Sequence, residues 1–99
     1  MSAQIAMNRE KIADFCRKHQ IRKLSLFGSV LRDDFGTDSD VDVLVEFAPA
    51  ARVGLIGFAG MELELTEIIG RKVDLRTPED LSRYFREEVV ANAEVQYAG

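Results

Sequence analysis

GSVLRDDFGTDSDVDVLVEF, residues 28–47, is the stretch on which the rest of the chain turns. It opens with a Gly-Ser pair, runs through a polar link, and ends in a Val-rich segment headed by Asp40 and Asp42. Val41–Phe47 reads as a strand. Its near-continuous apolar centre, VDVLV, predicts an interior position covered on both sides. Residues two apart on a strand point to the same face, so Asp40 and Asp42 stand side by side, roughly 6–7 Å apart at Cα. Two carboxylates at that spacing repel each other unless a cation lies between them. Their oxygens are hard donors of the kind Mg²⁺ takes together with phosphate. An Asp left uncompensated in such a strand costs several kcal/mol. A metal–phosphate site is therefore the first expectation, with backbone capping at a loop–strand junction as the plainer alternative.

Upstream, Ile21–Phe27 reads as a first strand, broken by Gly28-Ser29. Ser29 suits an N-cap for a short helix beginning at Val30 and Leu31. A strand, a Gly-Ser turn and a helix start offer free backbone N–H groups to an anion. Gly28 allows close approach of a phosphate to the backbone. Residues 3–19 read as a helix with Ile5, Ile12, Phe15 and Cys16 near one stripe. Cys16 is expected in the core, and nothing near His19 in sequence supplies a ligand set.

Downstream, residues 48–54, with Pro49 and small residues, read as a loop or a mobile lid. Leu55–Ile69 reads as a long helix with Leu55, Phe58, Ala59, Glu62, Leu65, Ile68 and Ile69 near helical spacing. Gly70 is its stop signal. Residues 72–76, KVDLR, predict a third strand with Val73 and Leu75 inward and Asp74 on the other face, beside Lys72 and Arg76. If this strand neighbours the second, Asp74 joins Asp40 and Asp42; otherwise it simply pairs with one of its own basic neighbours. Thr77-Pro78-Glu79-Asp80 has the composition of a helix start. Residues 81–93 are expected to continue as one helix or two short ones, with Tyr84 and Phe85 in the core or at an interface, and residues 94–99 as a frayed end.

The bulk composition agrees with one small domain over residues 1–99: 46% hydrophobic, 30% charged, one cysteine and a formal charge of −4. No apolar run approaches the ~20 residues of a membrane span, and the N-terminus lacks the apolar centre of a signal peptide. A cytoplasmic location is expected, with no membrane partner. Charge is uneven: residues 1–32 hold seven Lys/Arg against two acids, and the remainder holds six against fifteen. That asymmetry suits either an anionic substrate or an ordinary solvated helix face.

Gly28-Ser29, Arg32, Ser39-Asp40-x-Asp42 opening a Val-rich strand, and a later strand Asp at Asp74 together resemble the nucleotidyltransferase superfamily typified by DNA polymerase beta. The small size is similar to minimal nucleotidyltransferases of the MNT type, the antitoxin half of HEPN/MNT toxin–antitoxin pairs. The resemblance covers nearly the whole chain, residues 80–88 included; the one departure is Asp33, where the family commonly has Gly. It implies an α+β, two-layer fold, a small mixed sheet with helices packed on it like the polymerase beta palm. It implies catalytic and Mg²⁺-binding roles for Asp40, Asp42 and Asp74, holding two ions in the family's pattern, and nucleotide-binding roles for Gly28, Ser29, Arg32 and Ser39. The implied reaction is transfer of AMP from ATP to a tyrosine of a cognate HEPN ribonuclease toxin, in a hetero-oligomer with that toxin. Neutralisation by binding alone, or transfer to tRNA or a small molecule, are the alternatives. RNA binding is not expected, since the basic N-terminal third is its only support. Within 99 residues there is no room for a separate acceptor-holding domain, so the acceptor's own surface or an oligomer is expected to complete the site.

Overall fold

A computed structural model describes residues 8–28 and 40–99. In chain order it contains α1 (Arg9–Lys18), β1 (Ile21–Phe27), β2 (Val41–Phe47), α2 (Leu55–Ile69), β3 (Val73–Arg76), α3 (Arg86–Asn92) and β4 (Glu94–Ala98). The strands form one sheet in the order β3-β2-β1-β4. β1 pairs antiparallel with both β2 and β4, while β2 and β3 are parallel across the α2 crossover. This is the expected α+β architecture with a small mixed sheet.

Alternation divides the sheet into two faces. Val41, Val43 and Val45 of β2, Leu24 and Leu26 of β1, and Val73 and Leu75 of β3 turn to one side and are buried. There they meet Ile12, Phe15 and Cys16 of α1 and Met61 and Leu65 of α2. Cys16 lies in this core as expected, and burial pushes its thiol up to about 12. The opposite face carries Asp42, Asp74 and Arg76, with Leu44 and Ser25 beneath them at 2% exposure. A 3₁₀ turn, Pro78–Asp80, lies against β2 on its way out of the sheet. No helix among the described residues is long and apolar enough to cross a membrane.

Several expected elements are corrected. α1 does not run through Asn8, whose backbone is extended and whose Oδ1 accepts from Lys11 N–H at 3.1 Å. That cap satisfies one of the first-turn donors and so sets the start of the helix. The part of the expected helix before Asn8, Ile5 included, lies outside the described residues. Leu55 is 90% exposed, because the buried stripe of α2 centres on Met61 and Leu65 and leaves Leu55 roughly a quarter turn away. Residues 81–85 are not helical: Leu81 is extended, and Ser82 accepts from Tyr84 N–H through its side chain and from Arg86 N–H through its carbonyl. Local side-chain bonding of this kind competes with helix propagation. Tyr84 is consequently 86% exposed and Phe85 49%, so neither is in the core. The expected frayed end is β4. Its Tyr97 pairs with Leu24 and packs on the core, and the edge of β1 supplies the hydrogen bonds that hold the segment.

Candidate active site

The sheet places Asp42 directly opposite Asp74, with the flanking pairs Val41–Val73 and Val43–Leu75 turned to the core. Neighbouring strands lie about 4.8 Å apart, and paired residues of a parallel ladder share a face. The two carboxylates therefore leave the sheet side by side on the face away from α1 and α2. Asp40 immediately precedes β2, is partly buried, and stands two residues from Asp42. The backbone is pinned there, since Val41 N–H donates to the Lys72 carbonyl at 2.8 Å.

On the other side of β2, Phe27 pairs with Asp42, and the chain turns at Gly28 with φ +74°. A Cβ at Gly28 would collide with Asp42 Oδ2 and lie only 3.1 Å from its Cγ. The glycine thus has two reasons: the left-handed backbone and the carboxylate lying against it. Asp42 thus occupies the side of Gly28 on which a side chain would project. Ser29, Arg32 and Ser39 lie outside the described residues.

Asp74 holds an internal cation. Arg76, two residues on and on the same face, donates from Nε at 3.0 Å and from Nη2 at 3.3 Å to the two carboxylate oxygens. Asp74 raises the guanidinium pKa first of all, by hydrogen bonding and then by charge; burial opposes it, and the charges of Asp80 and Asp42 add smaller contributions. Arg76 therefore feels three carboxylates. Both sides of the pair are partly solvated, at 48% and 35% side-chain exposure, so the pair contributes little to stability. Sequence reasoning placed Arg76 beside Asp74 only as a competing explanation of that Asp. The alternation in KVDLR already put both on one face.

Among the described residues, no three carboxylate, imidazole or thiolate side chains converge into a ready-made cation cage. The physical reason is visible at Asp74, whose oxygens are turned to Arg76. The donor set nevertheless fits a hard divalent ion: two carboxylates in register on adjacent strands, a third two residues upstream, and a glycine that keeps one side open for Asp42. His19 Nε2 lies 3.0 Å from Glu64 Oε1 on α2.

Comparison with known proteins gives a consistent result. The sequence pattern described as nucleotidyltransferase domain matches residues 9–95. A "putative protein adenylyltransferase" of Methanocaldococcus jannaschii is 29% identical over 85 residues, 86% of this chain and 89% of that protein. The solved structure of a "putative minimal nucleotidyltransferase" superposes with a TM-score of 0.70 at 33% identity, covering 86% of this chain and 85% of that one. A further likeness, in fold alone, is to the complex of a tri-AMPylated Shewanella oneidensis HEPN toxin with an MNT antitoxin. There the TM-score is 0.64 at 22% identity, over 92% of this chain and 70% of that one.

Proposed function

The chain belongs to the nucleotidyltransferase-domain family, and from that premise we propose that it is a single-domain protein adenylyltransferase acting as an antitoxin. In this reading it moves AMP from ATP to a tyrosine hydroxyl of a HEPN-type ribonuclease toxin and so silences it. The observation that carries the reading is the register of Asp42 against Asp74 on the sheet face opposite the α1–α2 core, with Asp42 lying against Gly28. The names borne by the relatives support a protein acceptor.

Asp40, Asp42 and Asp74 are the residues that would hold Mg²⁺. That ion, when bound, neutralises phosphate charge and polarises the α-phosphate. The chain's own part is positioning. The sheet fixes the carboxylates on a rigid surface, and the partly exposed Asp74 side chain is where an acceptor from its own protein would enter. The acceptor oxygen attacks the α-phosphorus, its proton passes to Asp74, the bond to the bridging oxygen breaks, and pyrophosphate leaves. Gly28, Ser29, Arg32 and Ser39 are assigned to the triphosphate, and Arg76, freed from Asp74, is near enough to share its charge.

The test is the intact mass of the co-purified toxin before and after incubation with ATP and Mg²⁺, with Asp42→Asn as control. Addition of AMP units, lost in the control, is the expected result. A toxin that is silenced without gaining mass would instead favour neutralisation by binding. The engagement of Asp74 by Arg76 is the observation on which that second reading rests.

A further inference from the structure

α2 is apolar on two sides. Met61 and Leu65 point to the core, with Phe58, Ile68 and Ile69 around them. On the far side Ile56 is 91% exposed and Leu63 70%, and they align at helical spacing with Ala59, Gly60 and Glu67. Neither Gly57 nor Gly60 has anything within 4 Å of the position a Cβ would take. A helix apolar on two sides belongs between two layers, and among the described residues only one is present.

The charges at the two ends of α2 say which second layer fits. Its N-cap, Gly54, makes no side-chain cap, and its first turn holds no acid. Its last turn holds no base and instead carries Glu67 on the exposed stripe. Both are unfavourable for a lone helix, whose N-terminus attracts anions and whose C-terminus repels them. Neither Glu67 nor Arg52, just before the helix, has an ion-pair partner among the described residues.

We propose that two copies of this chain pair through α2, antiparallel about a two-fold axis that passes between Ala59 and Gly60. That axis sets Ile56 on Leu63 of the second copy and places the small residues at the crossing, where the backbones come closest. At 1.5 Å rise per residue, Glu67 falls about 3 Å beyond Gly54 of the second copy along the axis. Its side chain leans back toward its own N-terminus, hence toward the free N–H groups of the other helix. Arg52 of the second copy lies next to it. One isologous contact so resolves both end charges and covers the apolar stripe. An acceptor presented to Asp42 and Asp74 does not compete, because those residues leave the opposite face of the sheet. The contact is small, and its dissociation constant is expected on the order of tens of micromolar.

Sedimentation equilibrium of the full chain over a concentration series tests this. The average mass should rise from monomer to dimer, and Leu63→Glu should shift the midpoint at least about tenfold upward. Circular dichroism checks that this exposed substitution leaves the fold intact. The register is read with a short thiol cross-linker: Ala59→Cys, beside the axis, should give covalent dimer. Glu67→Cys should not, its two copies being about 22 Å apart along the axis. A wild-type chain that stays monomeric at about millimolar concentration overturns the proposal. So does equal cross-linking of the two variants, or a stripe whose Leu63→Glu change disturbs only the binding of a different protein.

Discussion

Gly28 is the residue on which the candidate site can be tested with least disturbance elsewhere. Gly28→Ala must hold an L-residue at φ +74° and push Asp42 aside. The expected outcome is a stability loss of about 1–2 kcal/mol by denaturant unfolding and a fall in AMP transfer of at least tenfold. Unchanged transfer would remove the Gly28–Asp42 contact from the mechanism. At Arg76 the sign is opposite. Arg76→Gln removes the internal cation that competes for Asp74, so Mn²⁺ should bind the nucleotide-free chain severalfold more tightly by calorimetry. Weaker binding would mean that Arg76 organises the carboxylates rather than competing with a metal. Cys16, protonated and buried, should react with thiol reagents only after unfolding. The strand periodicity made Asp42 and Asp74 legible in the sequence, because alternation fixes the face of each residue. That Gly28 touches Asp42 was not legible, since the contact is set by how β1 meets β2.

Among elements, α2 and β4 differ in how openly the sequence declares them. α2 has a long periodic stripe and a C-terminal glycine with φ +80°, the left-handed conformation that ends a helix. Leu65→Ala removes a fully buried side chain at the centre of that stripe and should cost about 2–5 kcal/mol. β4 is five residues with weak alternation, and its pairing with β1 comes from a partner some seventy residues away in sequence. Deleting residues 94–99 should lower the melting temperature by more than the loss of a loose tail would. A deletion with an unchanged melt would show that β4 adds nothing to the sheet. α1 is joined to α2 through Glu64, which takes both His19 and Lys18. The His19 hydrogen bond, before that of Lys18, lowers the Glu64 pKa from its ordinary 4.5. A carboxylate whose folded pKa is depressed stabilises the fold above its unfolded pKa and loses that contribution as pH falls through the folded value. Glu64→Gln should therefore show a shallower loss of melting temperature below about pH 4.5 than the wild type; the effect is small because the pair is partly solvated.

For the whole molecule, the uneven charge resolves into local pairs. Arg22 and Lys23 reach Glu46, Lys18 reaches Glu64, and Arg17 reaches Asp14. Much of the basic N-terminal third is thus balanced within the fold, and what remains is a chain of net charge −4. Binding to a generic RNA should be weak at physiological salt; tight binding with a steep salt slope would overturn that expectation. The carboxylate pair Asp42–Asp74 and the exposed apolar stripe of α2 lie on opposite sides of the sheet.

The sequence by itself determined the local order: that β1, β2, α2 and β3 form where they do, which residues alternate, and that three aspartates sit on strands or at their heads, while the short helix expected at Val30 and Leu31 lies outside the described residues. These follow from periodicity and turn chemistry, which act over a few residues. The tertiary structure alone decided that β3 lies parallel beside β2 with Asp74 opposite Asp42, that Arg76 occupies Asp74, that Asp42 rests on Gly28, and that the last residues complete the sheet. Those arrangements depend on register and on contacts between distant segments, where the stabilisation comes from pairing and burial rather than from the preference of any one stretch.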